Sequence, residues 1–127
     1  MSEEKLTTEQ VKKFKIEESR AEDSRDYNIL AGDVYDAGDR EWAMKLYNKA
    51  EELANNYYYY KLLGESYCLW PEDKDYARKM YKKSLELAGE YNGKDDFESL
   101  AFSIASIYHL GDEKWAEEIR KKAADFK

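Results

Sequence analysis

The chain writes one helix three times: GDREWAMKLYNKAEELA (Gly38 to Ala54), EDKDYARKMYKKSLELA (Glu72 to Ala88) and GDEKWAEEIRKKAADF (Gly111 to Phe126). Aligned on Asp39, Asp73 and Asp112, the copies match without a gap. Trp42, Tyr76 and Trp115 correspond, as do Ala43, Ala77 and Ala116, then Leu46, Met80 and Ile119, then Ala50, Ser84 and Ala123, with Leu53, Leu87 and Phe126 closing the stripe. Offsets of three, four and seven put these positions on one helical face. Each aspartate stands where an N-cap belongs, able to accept from the free N–H groups of the first turn. Lys49, Lys83 and Lys122 recur on the outer face.

A second segment precedes each copy: ILAGDVY (Ile29 to Tyr35), KLLGESY (Lys61 to Tyr67) and FSIASIY (Phe102 to Tyr108). In all three a small residue, Gly32, Gly64 or Ala105, stands three before a tyrosine, which marks helices that pack closely. The connectors DAGD, CLWPED and HLGD are tight, with Gly38 and Gly111 suited to the left-handed C-terminal position and Pro71 stopping its helix. The unit is therefore helix, short turn, helix. The longer second spacing is assigned to GEYNGKDD, between the second and third units. Such hairpins bury their apolar faces only by stacking, and about three are needed.

Ahead of them, TTEQVKKFKIEES has Thr7 and Gln10 in capping-box spacing and carries Val11, Phe14 and Ile16 on one side. It reads as a capping helix over residues 8–21. Ser24 or Asp23, Asn56 and Asp96 are expected to start the first helices of the hairpins. Tyr57 to Lys61 has high β propensity, but its place in the repeat makes it helical. The expected fold is all-α, an α-solenoid of three helix-turn-helix repeats with an N-terminal capping helix, about seven helices in a single domain over 1–127. The repeats run 24–54, 57–91 and 96–127.

Small residue plus tyrosine, Gly-Asp at the turn, then alanines around an aromatic on the second helix resembles the tetratricopeptide repeat (TPR) and its relative, the Sel-type repeat. The residues that carry the likeness are Gly32, Tyr35, Gly38, Asp39, Ala43, Tyr47 and Ala50; Leu63, Gly64, Tyr67, Ala77, Tyr81 and Ser84; and Ala105, Tyr108, Gly111, Asp112, Ala116 and Ala123. It covers roughly residues 24–127. Shortened first and third turns, a longer turn in the second unit, Arg120 in place of a tyrosine and the lack of a closing proline depart from the standard unit.

The resemblance implies a TPR-like adaptor or scaffold, a protein–protein interaction module binding a peptide or helix of a partner. The implied groove positions are Asp26, Ile29, Asp33 and Asp36; Tyr58, Lys61, Glu65 and Cys68; and Ser99, Phe102, Ser106 and His109. A carboxylate clamp of lysines and asparagines is absent there. Acids beside tyrosine and phenylalanine suit a basic-aromatic ligand, with charge steering approach and a buried anchor carrying affinity. The alternative is a self-assembling homodimer through the C-terminal hairpin, with no peptide ligand. The bland reading of the same acids is a solvated helix face.

Tyr35, Tyr47, Tyr67, Tyr81 and Tyr108 read as core, as do Trp42 and Trp115. Successive helical residues turn by about 100°, so Tyr57 to Tyr60 cannot all be buried. Trp70 is either a surface anchor or folded over the second hairpin.

Net charge is −7, which disfavours duplex DNA and anionic membranes as partners. One cysteine, Cys68, and one histidine, His109, leave no disulfide and no soft-ligand cluster, so no metal and no cofactor is expected and a reducing cytoplasm suits the chain. The opening MSEEKLTTEQVKKFK has no apolar signal region, and no window approaches the ~20 apolar residues of a membrane span. No nucleophile, phosphate-loop or metal motif is present, and the pairs Glu17-Glu18 and Asp95-Asp96 point apart on a helix, so no catalytic residue is assigned.

Overall fold

A computed structural model describes residues 6–90 and 92–126. Among these the protein is all-helical: α1 (Thr8–Arg20), α2 (Ser24–Ala37), α3 (Arg40–Leu53), α4 (Tyr57–Leu69), α5 (Lys74–Leu87), α6 (Lys94–Ala105) and α7 (Glu113–Asp125). They form three antiparallel hairpins, α2–α3, α4–α5 and α6–α7, with α1 packed on α2. The chain gathers into two compact units, Met1–Ala54 and Asn55–Lys127.

The second helices begin as the spacing predicts. Asp39, Asp73 and Asp112 each cap their helix, accepting from the backbone N–H of Trp42, Tyr76 and Trp115 at 3.0 Å in every case. The residue before each cap has a left-handed backbone: Gly38, Glu72 and Gly111. Behind the caps Ala43, Ala77 and Ala116 are fully buried, with Leu46, Met80, Ile119, Ala50, Ser84 and Ala123 on the same stripe. Thr7 and Gln10 make the full capping box of α1, Asp23 caps α2 and Asn56 caps α4. The tyrosine run is helical, with Tyr57 buried and Tyr58 exposed.

The first helices are in a different register from the one their tyrosines suggest. In every hairpin the backbone N–H of the capping aspartate donates to one carbonyl of the preceding helix: Asp39 to Val34 at 3.2 Å, Asp73 to Tyr67 at 2.7 Å, Asp112 to Ile104 at 3.0 Å. Val34, Tyr67 and Ile104 are therefore equivalent, and three residues before them lie Ala31, Gly64 and Ala101, all buried. Gly64 is the contact residue of its helix, because an added Cβ would meet the Tyr81 ring at 2.9 Å. Relative to this frame Gly32 and Tyr35 are one residue off, and Ala105 and Tyr108 one helical turn off. The extra length of the third unit is thus shared between the α5–α6 loop and the α6–α7 turn.

Several expectations are corrected accordingly. Helix α6 stops at Ala105, so Tyr108 is not core but 75% exposed in the turn. Asp96 does not cap α6, which starts after Gly93; it is fully buried in the first turn and accepts from Gly89 N–H at 2.8 Å and Asn92 N–H at 3.1 Å. It ties the α5–α6 loop to the helix. Helix α7 ends at Asp125, and Phe126 lies partly exposed with its ring 5.3 Å from that of Phe97. Trp42 and Trp115 are half-buried at helix seams rather than in the core. The expected ends of repeats two and three, at residues 91 and 127, fall outside the described residues, as does the start of the chain through residue 5.

Candidate functional site

The site residues expected from sequence fall into groups of different character. On α2, Asp26, Ile29, Asp33 and Asp36 follow one another at helical spacing on one face. Ile29 is 50% exposed although large and aliphatic, and Asp33 and Asp36 are exposed beside it. This face and the end of α1 line an open groove of ≈ 350 Å³ formed by Glu17, Arg20, Ala21, Asp26, Ile29, Leu30 and Asp33. Asp36 lies one turn further along α2. Asp26 also accepts from the Glu22 N–H at 3.0 Å, which closes the α1–α2 turn. Three carboxylates against one guanidinium around an aliphatic floor attract a cation that carries an apolar stem.

Two of the expected residues on α4 are occupied internally. Lys61 Nζ lies 3.1 Å from Glu65 Oε2, with its side chain only 13% exposed, and 5.7 Å from the Tyr58 ring centre. Glu65 Oε2 also accepts from the Ser103 hydroxyl at 2.8 Å. Because that hydroxyl spends its proton on Glu65, Tyr81 donates to Ser103 across 2.7 Å. The chain Tyr81–Ser103–Glu65–Lys61 joins α4, α5 and α6, and burial raises the Tyr81 pKa well above its ordinary value. Lys61 and Glu65 thus take part in an interhelical network.

On α6, Ser99 is half-buried and Phe102 is 77% exposed. Ser106 is the C-cap of the helix rather than a residue within it, and His109 sits in the turn that HLGD was expected to form, with Nδ1 3.2 Å from the Ser103 carbonyl. The one-turn register shift makes Ser106 the counterpart of Asp36 rather than of Asp33. Ile107, not among the expected site residues, is 84% exposed, a large hydrophobic side chain left uncovered like Phe102 and Tyr108. The lengthened α6–α7 turn that carries two of these residues is the signal that could have found them. Cys68 is buried, which pushes its thiol up to about 11 and leaves little thiolate at neutral pH.

Two further grooves repeat one design. Val11, Lys15, Glu18, Asp39, Glu41, Trp42 and Lys45 line one. Arg78, Lys82, Asp112, Lys114, Trp115 and Glu118 line the other. The Trp42 ring meets Phe14 edge-on at 6.1 Å, and Trp115 meets Tyr81 edge-on at 6.5 Å. Trp42 Nε1 donates to Glu18 at 3.2 Å; Trp115 is instead covered by Arg78, 5.4 Å above its ring and paired with Asp112 at 2.7 Å.

Among the described residues no group of three histidine, cysteine, aspartate or glutamate side chains is placed to hold a metal ion, and no helix is long and apolar enough to cross a membrane. The chain matches no protein-family model, no curated protein and no solved structure.

Proposed function

We propose that this chain is a cytoplasmic protein-interaction module built of TPR-like hairpins stacked as a solenoid. It binds a partner segment carrying Lys or Arg beside an apolar side chain, on the α2 face made by Asp26, Ile29, Asp33 and Asp36. The observation that carries this reading is the half-exposed Ile29 over an open groove where carboxylates outnumber the one guanidinium, since an exposed aliphatic residue in a mainly acidic setting fits a cationic ligand with an apolar stem. An enzymatic reading has less support. The Cys68 thiol is held neutral by burial, and the His109 ring is engaged with a backbone carbonyl.

Affinity capture with the wild type and with Asp33→Lys plus Asp36→Lys tests the proposal. Specific partners recovered by the wild type are expected to be lost from the variant; partners retained by both would overturn it. A second reading, self-association through the C-terminal hairpin, draws on the exposed Phe102, Ile107 and Tyr108. Light scattering of the wild type against Phe102→Ser plus Tyr108→Ser separates the two: a dimer that the double variant dissolves would favour self-assembly.

A further inference from the structure

The α2 face corresponds to the face of α6 on which, at Ser103, a further helix is seated. In the second unit α6 packs against both α4 and α5. In the first, α2 packs against α1 and α3. Helix α1 plays toward its hairpin the part that α5 plays toward α6–α7, since Phe14 meets Trp42 in the same edge-on geometry with which Tyr81 meets Trp115. The trio α1, α2, α3 thus matches α5, α6, α7, and among the described residues of the first unit no helix stands to this trio as α4 stands to the second.

The consequence is visible in burial. By the shared carbonyl contact of Val34 and Ile104, Asp33 corresponds to Ser103, Ile29 to Ser99 and Asp26 to Asp96. Ser103 is 3% exposed between Glu65 of α4 and Tyr81 of α5. Asp33 is exposed, as is Ile29. The groove of ≈ 350 Å³ lies where the extra helix would run.

We infer that the ligand of this face is an amphipathic helix of a partner protein, seated against α1 and α2 as α4 is seated against α5 and α6. The inference rests on the acidic-face reading above and adds the ligand's conformation. Its chemistry follows from the equivalence: where α4 offers the acceptor Glu65 to a hydroxyl, α2 offers the carboxylate of Asp33, so the incoming helix carries Lys or Arg there. Ile29 and Leu30 ask for an aliphatic residue one turn away. A second copy is the poorer occupant, because it brings a net charge of −7 to an acidic face and carries Glu65 on the equivalent helix.

The test uses the full chain and three synthetic peptides of α4's length, 13 residues. One is an amphipathic Lys/Leu helix former, one has the same residues with a central proline, and one has glutamate for lysine. By fluorescence anisotropy the lysine helix is expected to bind and gain helical circular dichroism. The proline peptide should bind about tenfold or more weakly, the glutamate peptide should not bind, and Ile29→Glu or Asp33→Lys should weaken the first by about tenfold. Equal binding of the lysine and proline peptides would overturn the helical ligand while leaving the acidic face intact. Binding of neither would bring down the acidic-face reading, and the inference with it. Lysine-peptide affinity unchanged in both variants would place the ligand elsewhere and overturn the inference, as would a dimer, seen by light scattering, that Ile29→Glu abolishes.

Discussion

Gly64 shows two residue-scale effects opposed. Alanine is the better helix former by about 1 kcal/mol, yet its Cβ would meet three atoms of the Tyr81 ring at 2.9 Å. That ring is pinned by its hydroxyl bond to Ser103. Overpacking costs about 1–3 kcal/mol, so Gly64→Ala is expected to destabilise; a raised denaturation midpoint would show that the ring yields. Asp112 is the second case. The backbone N–H of Trp115, and then Arg78, hold its carboxyl below the usual carboxylate range. A carboxyl lowered on folding contributes stability that is whole above about pH 4 and is lost as pH falls through the lowered value. Asp112→Asn is therefore expected to reduce stability at neutral pH and to flatten the acid limb of the stability–pH curve, both read by urea titrations.

At the scale of the element, the second helices were legible because cap, small residue and aromatic stripe recur together and no alternative register satisfies all three. The capping helix was legible from its capping box, Thr7 with Gln10, its expected 8–21 becoming Thr8–Arg20. The first helices were not. Ala31 and Gly32 are both small, as are Ala101 and Ala105, and a turn that can absorb one to several residues lets a tyrosine be matched to the wrong partner. Only the carbonyl each aspartate reaches, Val34, Tyr67 or Ile104, removes the ambiguity. The same slip gave Ser106 the place of Ser103, and the engagement of Glu65 was not legible because its partner Ser103 is distant in sequence. Asp26, Ile29, Asp33 and Asp36 all lie on α2, so the slip leaves their spacing unchanged. Asp96 carries an element-scale prediction: Asp96→Ala strands two backbone donors at the α5–α6 loop and is expected to cost about 1–3 kcal/mol. Hydrogen exchange at Gly89 and Asn92 should rise; protection left unchanged would assign their order to something else.

For the whole molecule, the net charge of −7 sets how a basic partner arrives. Raising ionic strength shortens the reach of that field, so association with a Lys-bearing ligand should slow several-fold between about 0.01 and 0.15 M salt while dissociation changes little. Stopped-flow measurement checks this, and a salt-independent on-rate would remove electrostatics from the recognition. Being made of copies also leaves a trace in the bonds between helices. In the first hairpin the Ser24 hydroxyl donates to the Ala50 carbonyl; in the second the Ser84 hydroxyl donates to the Tyr57 carbonyl, each across 2.7 Å. The capped starts and the gapless second helices make Ser24 the counterpart of Tyr57, and Ala50 that of Ser84, so the crosslink persists while its donor has changed sides. A place that tolerates either polarity should be interchangeable by hand. Ser24→Ala alone should cost about 1 kcal/mol, and adding Ala50→Ser should restore most of it, the staple simply driven in from the opposite helix.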